Sequence, residues 1–145
     1  MGVDLPKGYV PSKDEPFMCE NQKEFFRRKL LEWREQLLKE TEDTIDSLRG
    51  EGGLAAADVA DRASAEADRA LELRTRDRAR KLISKINNSL QKIEDGTYGY
   101  CEETGDPISL ERLIARPIAT LSIEAQEKHE RMERTYNDDM IEQEQ

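Results

Sequence analysis

Apolar and small residues recur along the first third of the chain at steps of four and three, through Phe26, Leu30, Trp33, Leu37, Thr41, Thr44 and Leu48. That spacing predicts a helix whose narrow seam packs against one partner helix. Arg49, Gly50, Glu51, Gly52 and Gly53 break the pattern. A second one runs from near Asp58 to Glu94, with Ala60, Ala63, Ala67, Leu71, Leu82, Ile86, Ser89 and Ile93 on one face. At 1.5 Å per residue the second helix would be ~55 Å long. Joined by a short glycine-bearing turn, the two pack antiparallel, because neither stripe is wide enough to be buried by anything but the other.

The seam changes character along its length. Ala55, Ala56, Ala57, Ala60 and Ala63 crowd the turn, whereas Leu, Ile, Trp and Phe dominate the far end. A rod with a thin, marginally stable tip follows, suited to a narrow space, although alanine is also simply a good helix former. Residues 1–15, with Pro6, Pro11 and two glycines, read as an extended arm. The coiled coil is expected over 16–94 with its tip at about 49–61, and Asp95 with Gly96 ends it. Residues 95–121 form a small lobe in which TGDP turns between two short runs that pair as a hairpin. Ile108, Leu110, Leu113, Ile114, Ile118, Leu121 and Ile123 supply its apolar surface. A C-terminal helix over 122–140 has Ser122 as its N-cap and Ala125 in its first turn, and 141–145 form a disordered tail. The expected fold is mainly α: a long antiparallel two-helix coiled coil, a small globular lobe and a C-terminal helix.

Composition narrows the function classes. The chain has 145 residues, 38% of them charged and 6% aromatic, enough for one modest core and a helical seam. A formal net charge of -9 argues against general nucleic-acid binding, so no direct contact with DNA is expected. No apolar run reaches the roughly 20 residues that span a bilayer, and the N-terminus lacks the basic start and apolar stretch of a secretory signal. A soluble, cytoplasmic protein without membrane contact is expected, with Cys19 and Cys101 as free thiols.

Two constellations could carry chemistry. The segment YGYCEETGDPISLERLIARPIATLSIEAQ has the spacing of a four-cysteine zinc ribbon. Its first knuckle, however, is Cys101 with Thr104, and its second is Ser122 with Ala125. One thiolate cannot close a tetrahedral zinc site, so no bound zinc is expected. Near the turn, Asp58 and Asp61 in DVADRA lie three apart, on one helical face. They serve either to complement the positive end of the helix or as charges delivered into a site the protein body cannot reach. There they could ligate Mg²⁺ or meet basic groups. Arg74, Arg76, Arg78, Arg80, Lys81 and Lys85 read mostly as a solvated face paired with Glu72, Asp77 and neighbours. Lys85 and Arg116 would offer an anion site if the lobe folds back on the helix base. His129, the single histidine, reads as a surface residue. No catalytic triad or phosphate loop is present, and a stand-alone enzyme is not expected.

DVADRA at the turn, LELRTRDRARKLISKI, DGTYGYC and ERLIARPIATLSIEAQ together resemble the DksA/TraR family of bacterial RNA polymerase regulators, from about Glu24 to Arg134. The resemblance implies a coiled coil that enters the polymerase secondary channel while the lobe grips the rim. It implies that Asp58, Asp61 and Ala63 are the tip motif acting near the polymerase active site. It also implies action on ribosomal RNA and biosynthetic promoters in the stringent response, with ppGpp as co-effector bound through Leu82, Lys85 and Arg116. Gln126 falls where the family has lysine, which removes one phosphate contact. Cys101, Thr104, Ser122 and Ala125 stand at the family's four zinc-ligand positions, as in a cysteine-poor variant. The expected protein is a monomeric regulator that binds polymerase directly. The alternatives are a Gre-like transcript-cleavage factor, whose tip carboxylates hold a metal, and a coiled-coil scaffold without polymerase contact.

Overall fold

The computed structural model describes the backbone of residues 3–51 and 59–144 and the side chains of 3–49 and 62–142. These residues form four helices, α1 (Glu20–Glu51), α2 (Val59–Asp95), α3 (Leu110–Ala115) and α4 (Ile123–Glu144), joined by turns and one isolated antiparallel bridge, Tyr100 with Pro107. The fold is mainly α, as the periodicity predicts. The chain divides into two units, one of Arg28–Gln91 and one of Met1–Arg27 with Lys92–Gln145.

The first unit is the antiparallel pairing of α1 with α2. Arg34 Nη1 donates to Asn87 Oδ1 at 2.7 Å and Arg49 Nη2 to Glu72 Oε1 at 2.9 Å, so each step forward along one helix is matched by a step back along the other. The seam departs from the predicted one in two places. On α1, Ile45 is buried and Thr44 exposed, because the Thr44 hydroxyl turns back to the Glu40 carbonyl at 2.8 Å and leaves the inward position to its neighbour. On α2, stepping back from Ile93 by alternate fours and threes passes Ser89, Ile86, Leu82, Ala79, Thr75, Glu72, Asp68 and Ala65, and all of these are buried or half-buried. Ala63, Ala67 and Leu71, expected on the seam, are exposed, and the side chain of Ala60 lies outside the described residues. A strict heptad phase carried from the leucine-and-isoleucine end places polar residues inward, and the apolar ones fall one position off it.

Helix α1 also runs through Arg49 to Glu51, past the expected break. A single glycine inside a helix costs only about 1 kcal/mol, and Arg49 in the last turn complements the negative end of the helix.

The second unit is built around α1's first turns and the lobe. Phe26, Ile93, Tyr98, Cys101, Ile108, Leu110, Leu113, Ile118, Ala119 and Ala125 are buried. The Tyr98 hydroxyl donates to the Pro117 carbonyl at 2.7 Å, and its ring packs against Phe26 with centroids 5.4 Å apart. Gly96, at φ 80, closes α2: the Thr97 N–H reaches back to the Lys92 carbonyl at 2.9 Å and the Gly96 N–H to Ile93, the double bond of a left-handed helix stop. The N-terminal arm is turn and coil, tied down by fully buried Gln22, which accepts from the Met18 N–H at 2.8 Å and donates to the Ser12 carbonyl at 3.1 Å. Phe17 then stacks edge-on against Tyr100.

Candidate functional site

The lobe's knuckles are built by a hairpin and a helix start. The Ile108 N–H meets the Gly99 carbonyl at 2.7 Å and the Cys101 N–H meets the Asp106 carbonyl at 2.8 Å, with Gly105 at φ 75 turning the chain between them. The Glu102 N–H donates to the Thr120 carbonyl at 2.9 Å. The neighbouring carboxylates are also held: Glu102 by Lys92, and Glu103 by His129 of α4. His129, expected to be a plain surface residue, is thus half-exposed but engaged.

Cys101 lies at the centre of this loop, 3% exposed. Burial pushes its thiol up. The Thr104 side chain and the backbone N–H groups of Ser122, Thr104 and Glu103 favour the thiolate, outweigh burial and bring it down to about 6. Three of the four knuckle positions, Cys101, Thr104 and Ser122, thus meet at one sulfur, with Glu103 beside them. The Ser122 hydroxyl is already committed as acceptor to the Ala125 N–H at 3.2 Å, and Ala125 carries no donor atom for a metal. One sulfur and two occupied hydroxyls do not fit four-coordinate zinc.

The hairpin end is set by α1 and α2. Asp61 falls in the first turn of α2, Ala63 follows it and is exposed, and Asp58 and the side chain of Asp61 lie outside the described residues. Eleven residues on from Asp61, Glu72 accepts from Arg49 across the pair and from Arg76 of its own helix at 3.2 Å. The Arg49 guanidinium holds the Glu72 carboxyl below its ordinary range, against partial burial. Periodicity places Arg49 at the break of the seam, and no motif marks this bridge. Only the heptad phase of α2, traced back from Ile93, could have found Glu72.

The remaining predicted residues are distributed as follows. Leu82 is half-buried and Lys85 exposed on α2, while Arg116, the residue that ends α3, is exposed. Gln126 is half-buried and donates to Glu130 at 3.3 Å. Asp77 pairs with Arg80 at 2.7 Å and Lys81 at 3.1 Å, as expected of a solvated face. Among the described residues no helix is long and apolar enough to cross a membrane.

An antiparallel helix pair opening beside an aspartate, with a cysteine-centred knuckle lobe, defines the class. Residues 22–93 match the family described as DnaK suppressor protein DksA, N-terminal domain, and residues 96–131 match the prokaryotic dksA/traR C4-type zinc finger. The chain belongs to the DksA family. It is 62% identical over 131 residues to the RNA polymerase-binding transcription factor DksA of Caulobacter vibrioides, covering 90% of this chain and 92% of that one. To the Escherichia coli protein of the same name it is 45% identical over 116 residues, covering 80% and 76%. The solved structure of transcription factor DksA2 from Pseudomonas aeruginosa aligns with a TM-score of 0.72 at 44% identity, over 81% of this chain and 90% of that one. Within the segment matching a C4 finger this chain has one cysteine, Cys101.

Proposed function

We propose that this protein is a transcription regulator that binds RNA polymerase directly, enters its secondary channel with the α1–α2 hairpin, and acts through Asp58 and Asp61 near the active site. The observation that carries the reading is the place of Asp61. It opens α2 at the end of an antiparallel helix pair, in a chain 62% identical to a protein named for binding RNA polymerase. Carboxylates there act by electrostatic contact with basic groups or with a catalytic Mg²⁺. The role is non-catalytic: promoter complexes are destabilised or favoured, and no bond is made or broken by this chain.

ppGpp is the proposed co-effector at the polymerase interface, with Leu82, Lys85 and Arg116 proposed as residues that contact it there; Lys85 and Arg116 are exposed. Gln126 adds no charge, which weakens that coupling relative to a lysine. The lobe is proposed to hold no zinc, its knuckles being closed around the Cys101 thiolate instead. Capture on core polymerase, followed by addition to backtracked elongation complexes, tests the reading. Stoichiometric capture without RNA cleavage is expected. Stimulated cleavage would place the protein with transcript-cleavage factors, and no capture would leave it a scaffold.

A further inference from the structure

The helix pair loses its apolar seam before it reaches Asp61. Ile45 on α1 and Ala79 on α2 are the last buried residues toward that end among those described, and beyond them α2 presents Thr75, Glu72, Asp68 and Ala65 inward. Flanking Glu72, Leu71 and Leu73 are 43% and 63% exposed. Rotating α2 by one residue, about 100° at 3.6 residues per turn, would carry Leu71 into the seam in place of Glu72. Apolar burial favours that rotation. The continuous helix carries the phase of the base seam into this half, and among the described residues here one cross-helix bridge holds that phase, Arg49 to Glu72 at 2.9 Å, with Glu72 braced by Arg76 at 3.2 Å.

We propose that Glu72, gripped by Arg49, is a positioning residue that sets the rotation of the α2 turns carrying Asp61. This rests on the reading of the hairpin as the element directed at polymerase. A polar residue at a seam position specifies register at the expense of stability. Here the register decides which way the first turn of α2 presents its carboxylate, and a wrong rotation would turn Asp61 by the same ~100°. The Leu71–Glu72–Leu73 run therefore selects the less stable of two packings because that packing aims the tip.

Glu72→Ala and Arg49→Met, each alongside wild type and Asp61→Asn, test this in purified transcription with saturating protein. Polymerase affinity, thermal stability and amide exchange over residues 62–72 are measured in parallel. Glu72→Ala, which removes the bridge and leaves Leu71 free to take the seam, should melt within a few degrees of wild type and bind polymerase within about twofold. Its effect on the promoter at saturation should fall roughly fivefold, the upper range for a partly exposed bridge. Arg49→Met should lose effect to a similar degree and exchange faster over 62–72. A Glu72→Ala protein with full effect, while Asp61→Asn has none, overturns the positioning role and leaves the functional reading standing. Full effect from Asp61→Asn overturns the functional reading and this inference with it.

Discussion

The Thr104 side chain favours the thiolate of Cys101 across the tight turn whose two ends would each carry a metal ligand in a four-cysteine finger. With the N–H groups of Ser122, Thr104 and Glu103 it makes a polar cradle that favours the charged sulfur. The cradle makes the lobe's stability depend on pH. The thiol titrates at about 6 in the fold against an ordinary value of 9.0, so between those values the unfolded chain binds a proton that the folded chain does not. Stability therefore rises with pH across that window, is complete above it, and loses this contribution as pH falls through about 6. Thermal melts of wild type and Cys101→Ala from about pH 6 to about pH 9 should diverge as pH rises, with wild type gaining. Parallel curves would show that the sulfur carries no such charge.

The lobe is proposed to close without zinc. Elemental analysis of the purified protein should find zinc well below one equivalent, and a strong chelator should leave the melting transition where it was. One tightly held equivalent, with a transition lowered by chelation, would contradict the proposed closure.

Gly99 joins the arm to the lobe. Its φ of 90 lies where side chains are strained, and a Cβ built there would meet Met18 Cε and Phe17 Cζ, each at 3.1 Å. Gly99→Ala should destabilise the fold by about 1–3 kcal/mol, read from urea unfolding, and should open residues 3–19 to limited proteolysis. An unchanged midpoint would mean that the arm does not press on this position.

The helices were legible because their charge and apolar periods are long, and local pattern dominates in such elements. The base of the seam, Phe26, Leu30, Leu82, Ile86, Ser89 and Ile93, follows directly from spacing. The distal half does not. There the inward positions of α2 are Thr75, Glu72 and Asp68, and a reading that follows apolar residues slides onto Ala63, Ala67 and Leu71, which face solvent. Phase was inherited from the base by helix geometry, a constraint that no local window contains. That the N–H groups of Thr104, Glu103 and Ser122 favour one charged sulfur was not legible, since it depends on backbone directions that a residue list does not encode. Gln22, lodged among charged neighbours, carried no sign that it would be fully buried. Its partners are main-chain groups of a non-periodic arm.

A carboxylate at the opening of α2 is proposed to alter polymerase from within its channel. The most direct measurement compares wild type with Asp61→Asn on a ribosomal RNA promoter in purified transcription, with and without ppGpp, at concentrations where both proteins are shown to be bound. The account predicts that the variant binds polymerase as wild type does but no longer inhibits, and that ppGpp does not restore inhibition. Equal inhibition by the two bound proteins would contradict it.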